Sequence, residues 1–235
     1  MSSKTRTRVA AQPVPKATNI VALPAESVDA KAVRVLALRR PKPAGYQQVN
    51  VTSTSAQAWR ALSPFYLGPV TVHTPRGGFE SRCVENAWQY TKVYAFDPAG
   101  RPMVDEAGAP TDVYYDWARA GWANPRPTRF PMGRGARPLY SLGPAGERLS
   151  YIEARRILYA PWYAGAAAAT PAYQSLRELY AAQLAGGSRI ALVDFDGWDH
   201  IGQSCTLAQV LREPRPKMGH AFVLAGMLTG DIFWT

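Results

Sequence analysis

The segment PAYQSLRELYAAQLAGGSRIALVDF, residues 171–195, constrains the fold more than any other stretch of the 235-residue chain. Thr170 and Pro171 stand where a helix begins, because threonine can accept from free N–H groups and proline fits a first turn that needs no donor. Leu176, Leu179, Tyr180 and Leu184 recur three and four residues apart, so they share one apolar face, and Gly186 closes the helix. RIALVDF then reads as a buried strand. A long helix running into a strand this apolar calls for a mixed α and β core.

The remaining signals are mostly helical. Thr52 to Ser55 predict the cap of a short helix reaching Leu62 and ended by Pro64. PVTVHT (69–74) alternates like a strand, with PRGG as the turn after it. Ser81 is expected to cap a helix running to about Ala95, stopped by Asp97, Pro98 and Gly100. Residues 111–122 predict a further helix, and the Pro-, Gly- and Arg-rich stretch to Gly146 a long ordered loop. LSYIEARRILYAPWY predicts a helix from Ser150 to a stop at Pro161, and two more are expected at about 204–212 and 218–229. The fold class is therefore α+β, a predominantly α-helical single domain over 51–235 with a few short strands. Residues 1–50 read as a basic, mostly disordered arm that contains one apolar piece, AVRVLAL at 32–38.

Charge points the same way. The formal net charge is +10, and residues 1–45 hold nine Lys/Arg against Glu26 and Asp29, so they carry +7 of it. Such a segment suits a polyanion, and nucleic acid is a possible partner for residues 1–45. No run of about 18 apolar residues exists, and the basic start lacks the apolar core of a secretory signal. These features predict a cytoplasmic protein without a membrane partner. Cys83 and Cys205 stand alone, which argues against a disulfide framework or a zinc site, and no cofactor is implied.

CVENAWQYTK, residues 83–92, concentrates the chemistry. At helical spacing Glu85, Trp88, Gln89 and Lys92 form one stripe, too polar for a core and too rich in indole for an ordinary solvent face. A partly enclosed site accounts for both properties. There a carboxylate can act as a base or stabilise positive charge on a sugar, an indole can stack on a ring, and a lysine can meet phosphate.

LSPFYLGPVTV followed by ESRCVENAWQYTKVY resembles the opening of the NADAR family, the NAD- and ADP-ribose-associated proteins, with Ser63, Phe65 and Tyr66 preceding a Glu-x-x-x-Gln-x-x-Lys motif at Glu85, Gln89 and Lys92. YAPWYAGAAAATPAYQSLRELYAAQLAGGSRIALVDFDGWD is similar to the family's helix, closing glycine and acidic strand, and KMGHAFVLAGML to its glycine-led last helix. The resemblance spans roughly residues 60–230. His220 departs from it by standing where an asparagine is expected, and residues 97–148 look like an insertion. It implies a hydrolase that cleaves the N-glycosidic bond of a ribosylated nitrogen, in a nucleotide, an ADP-ribose-like ligand, or ADP-ribosylated guanine of nucleic acid. Glu85 would be the catalytic carboxylate. Trp88, Gln89, Phe65 and Tyr66 would line the ligand, Lys92 with Arg129 or Arg134 would hold phosphate, Asp194 or Asp196 would orient ribose hydroxyls, and His220 would reach the pocket.

DFDGWDH offers a rival, because Asp194-x-Asp196 after a hydrophobic strand is how a haloacid-dehalogenase-type phosphatase begins. That fold needs further motifs downstream, and only 39 residues follow Asp196. A divalent metal on Asp194, Asp196, Asp199 and His200 is a further option, set against an acidic strand end that caps the next loop. From a different class comes a non-catalytic nucleic-acid-binding or assembly protein using the basic arm and an inert domain.

Overall fold

The computed structural model describes residues 32–235. Strands β1 (Val33–Ala37) and β2 (Tyr46–Asn50) come first, then a 3-10 turn at Ala58–Leu62 and the hairpin β3 (Val70–Thr74) and β4 (Gly77–Ser81). Helix α1 (Val84–Tyr90) follows, then β5 (Lys92–Val93) and α2 (Asp112–Ala123). After a loop come β6 (Tyr140–Leu142), β7 (Arg148–Leu149) and a long helix made of α3 (Tyr151–Ala154), a π-helical turn at Arg155–Tyr159, and α4 (Ala160–Ala168). Helix α5 (Pro171–Ala185), strand β8 (Arg189–Asp194), α6 (Leu207–Arg212) and α7 (His220–Thr229) complete the domain, which is α+β.

The disordered arm expected over residues 1–50 needs correction. Within it, β1 and β2 flank β8 in a parallel sheet of order β1-β8-β2, with Val35 and Val49 both in register with Leu192. Val33, Val35, Val49 and Leu192 are buried. The apolar piece at 32–38 is a core strand whose partner lies some 150 residues away, so no local pattern announced it. The disorder expected of residues 1–31 lies outside the described residues. Among the described residues no helix is long and apolar enough to cross a membrane.

Other boundaries moved for local reasons. The 3-10 turn has no side-chain cap, so Thr52 to Ser55 do not start it. Ser81 belongs to β4, and Cys83 caps α1 by accepting from the Asn86 N–H at 3.4 Å. Helix α1 stops at Tyr90, where the Thr91 hydroxyl turns back on the Ala87 carbonyl at 2.6 Å and the chain enters β5. Pro161 does not end its helix. The turn before it widens to π spacing, with the Ala160 N–H bonded to Arg155 O, which relieves the crowding that proline imposes on the preceding turn. Helix α5 follows its pattern, with Thr170 accepting from Tyr173 N and Leu176 and Tyr180 buried, although Leu184 is exposed.

The main core joins the parallel sheet to α4, α5 and α7, and a second one packs α1 against α2 and the β3–β4 hairpin. Gly121 permits that second contact: a Cβ there would lie 1.9 Å from the Tyr90 ring.

Candidate functional site

Parallel sheets bind ligands beyond the carboxyl ends of their strands. At that end of β8, Asp194, Phe195 and Asp196 meet α1, the loop after α2 and the start of α7 around a cavity of about 720 Å³. Phe65, Glu85, Trp88, Gln89, Lys92, Arg129, Arg134, Asp194, Asp196 and His220 all line it. The chain thus brings together side chains from five separate segments. Tyr66 is the exception. Its neighbour Phe65 faces the cavity, while Tyr66 is exposed on the outside, its hydroxyl accepting from Arg60 Nη2 at 2.6 Å and its ring under that guanidinium.

Glu85 is buried, and Gln89 Nε2 donates to its Oε1 at 2.9 Å. Lys92 Nζ donates to Gln89 Oε1 at 2.7 Å, so one amide bridges acid and amine. Lys92 lies beyond the helix, in β5, yet still faces this stripe, with Nζ 4.8 Å from the Trp88 ring. Burial pushes the Glu85 carboxyl up from the ordinary range, against the opposing pull of Gln89, Lys92, Arg129 and His220. Burial also pulls Lys92 down to about 8, with Glu85 opposing and Lys217 assisting. Both groups therefore sit closer to neutrality than free side chains do.

Asp194 has a different environment. Its Oδ2 lies 3.0 Å from His220 Nδ1 and accepts from the Ala221 N–H at 3.1 Å, while His220 Nε2 meets Val51 O at 2.9 Å. Burial opposes its charge, but His220 and the N–H groups of Ala221 and Phe195 together hold the Asp194 carboxyl below its usual range. Burial works against the His220 cation too, and Asp194 with the Val51 carbonyl raises the imidazole. The Asp194 side chain supplies the cap that Gly219 at the start of α7 cannot provide. Gly219 makes room for it, since a Cβ there would lie 2.1 Å from Asp194 Oδ2.

The third acidic residue spans the mouth. Asp196 pairs with Arg129 at 3.1 Å, and Arg129 also lies over Phe130 and Phe195. Arg134 is exposed on the rim against Phe130. Asp199 pairs with Arg34 of β1 at 3.4 Å, and His200 is buried with its imidazole held down at about 4, chiefly by desolvation. Each strand-end carboxylate thus faces its own basic side chain, and among the described residues no group of three or more His, Cys, Asp or Glu is placed to hold a metal.

Three residues that shape the site went unremarked in the sequence. Asn86 is buried and fastens the start of the loop after α2, donating to Asn124 O and Arg126 O and accepting from Thr128 N. Tyr159 packs on Trp88 at 5.2 Å. Arg155 is fully buried in the cavity wall. Its signal was present: Tyr151, Leu158 and Tyr159 stand four before, three after and four after it, an apolar setting for an arginine. Compared with known proteins, the chain matches no family model, no curated protein and no solved structure.

Proposed function

We propose that this chain is a NADAR-like hydrolase that cleaves the N-glycosidic bond of a ribosylated nitrogen in a nucleotide or ADP-ribose-like substrate, with Glu85 as its catalytic carboxylate. The observation that carries the reading is the placement of Glu85 in a sizeable cavity beside an indole and a lysine, linked to that lysine through Gln89. Breaking a C–N glycosidic bond leaves positive charge on the sugar, which a nearby carboxylate stabilises. Glu85 also takes a proton from the attacking water, and a carboxylate raised by burial is the stronger base for that step. The proton can then pass to the departing nitrogen. Trp88 offers a face for a base or ribose, and Lys92, Arg129 and Arg134 offer charge for phosphate.

The test is mass spectrometry of purified wild type and Glu85→Gln incubated with ADP-ribosylated guanine DNA, NAD and ADP-ribose. Release of ADP-ribose or a free base by wild type alone supports the reading. Absence of turnover in both folded proteins sinks it.

One observation favours the second reading, a non-catalytic nucleic-acid binder: Arg39, Arg40 and Lys42 are exposed between β1 and β2 and continue the basic segment before them. Binding through that region should weaken steeply with salt. Deletion of residues 1–31 tests the preceding segment, and substitution of Arg39, Arg40 and Lys42 tests the rest, because a longer deletion removes β1 from the sheet.

A further inference from the structure

We propose that Arg155 is an anion anchor, taking a phosphate or diphosphate group of the ligand through Nε and Nη2, and that the Tyr151 ring is the cover that moves aside to admit it. The proposal rests on the reading that the cavity is the ligand site.

Arg155 opens the π-helical turn and is only 1% exposed. One of its nitrogens has a plain structural role. Nη1 donates to the carbonyls of Val210, Leu211 and Glu213 at 3.2, 3.2 and 2.9 Å, closing the end of α6. That role leaves Nε and Nη2 unexplained. Both are buried, and neither finds an acceptor among the described residues. No carboxylate among them pairs with Arg155 either, whereas Asp194 and Asp196, the aspartates of the same cavity, are matched to His220 and Arg129. A buried guanidinium without a counter-charge is an expensive arrangement, and a planar fork of free donors matches two phosphate oxygens. Excess positive charge in the wall, carried also by Lys92, Arg134 and Lys217, favours an anion of more than one charge.

Tyr151 provides the cover. Its ring centroid lies 4.3 Å from the guanidinium carbon, and the residue is 41% exposed at the start of α3. The Tyr151 ring also meets Trp88, with centroids 6.0 Å apart, and Trp88 meets Lys92 Nζ at 4.8 Å. The wall therefore runs from cation to indole to phenol to cation. Rotating a half-exposed tyrosine about χ1 is fast, and it would open the free edge of Arg155 while leaving the Trp88 face in place for a ring of the same ligand.

The experiment titrates the full chain with inorganic phosphate, pyrophosphate and ADP by calorimetry, following the Arg155 Nε–H resonance by NMR. Pyrophosphate and ADP are expected to bind and shift that resonance, with inorganic phosphate weaker. Arg155→Lys, which keeps the charge and a donor for the α6 carbonyls, is expected to weaken pyrophosphate binding about tenfold. Tyr151→Ala is expected to tighten it severalfold and keeps the proposal falsifiable where the arginine variant fails to fold. Unchanged affinity in both variants, or an Arg155 resonance that ignores saturating pyrophosphate, overturns the proposal. Glu85→Gln separates the two claims: it should lose turnover and keep pyrophosphate affinity, so an inactive wild type that still shifts Arg155 sinks the hydrolase and spares the anchor.

Discussion

Glu85 and Asp194 are two carboxylates buried in one cavity, and their surroundings push them in opposite directions. Asp194 receives an imidazole and the N–H groups of Ala221 and Phe195, so its charge is stabilised despite burial. Glu85 receives a neutral amide, with its cations further off, so burial prevails. A carboxylate whose partners are already in place has little left to offer a substrate. One left short of partners gains when positive charge develops nearby, and such divergent pairs mark acid–base assignments in enzymes. On the proposed reading, the contrast gives Asp194 to the scaffold and Glu85 to the chemistry.

Substitutions should separate those roles. The largest effect expected is loss of turnover by about 10²–10⁴-fold in Glu85→Gln, measured on whichever substrate wild type cleaves. Asp194→Asn should instead strike folding, by about 3–5 kcal/mol in urea denaturation, because it breaks the buried pair with the His220 imidazole and weakens the start of α7. Gly219→Ala should cost about 1–3 kcal/mol, since the new methyl displaces the same carboxylate.

Smaller effects sharpen the comparison through pH. A carboxyl raised on folding holds its proton more tightly in the native state, so Glu85 lowers stability as pH climbs from about 4.5 through its folded value. Asp194 does the reverse: its contribution is present above its unfolded value near 3.8 and is lost as pH falls. The raised His220 contributes fully below about 6.5 and loses its contribution as pH rises through its folded value. Glu85→Gln should therefore be more stable than wild type at neutral pH, with the gain fading as pH falls toward 4.5. Equal pH profiles for the two proteins would erase the distinction. Least affected should be Arg129→Ala, which removes a half-exposed ion pair worth about 0.5 kcal/mol of stability.

The parts legible in the sequence were those with local causes. Helix α5 and strand β8 follow from one cap, one face and one apolar run, and the polar stripe of Glu85, Trp88 and Gln89 follows from helical spacing. What escaped depends on distant partners. The strand character of Val33–Ala37 needs β8, the exemption of Pro161 needs a widened turn, and the buried place of Arg155 needs the end of α6. His220, expected to reach the pocket, does line it and is also a buried histidine satisfied by Val51 O and Asp194.

The order of strands in the parallel sheet has a consequence for biosynthesis. β1 and β2 are translated early, are not neighbours, and both wait for β8, which sits between them. A ribosome has to add about 140 more residues after β2 before that strand exists, a delay of roughly 7–30 s at ordinary elongation rates. Throughout it, Val33, Val35 and Val49 lack the strand that buries them. The main core therefore cannot close before β8 is made, and the cavity, which needs both the end of β8 and the start of α7, closes later still.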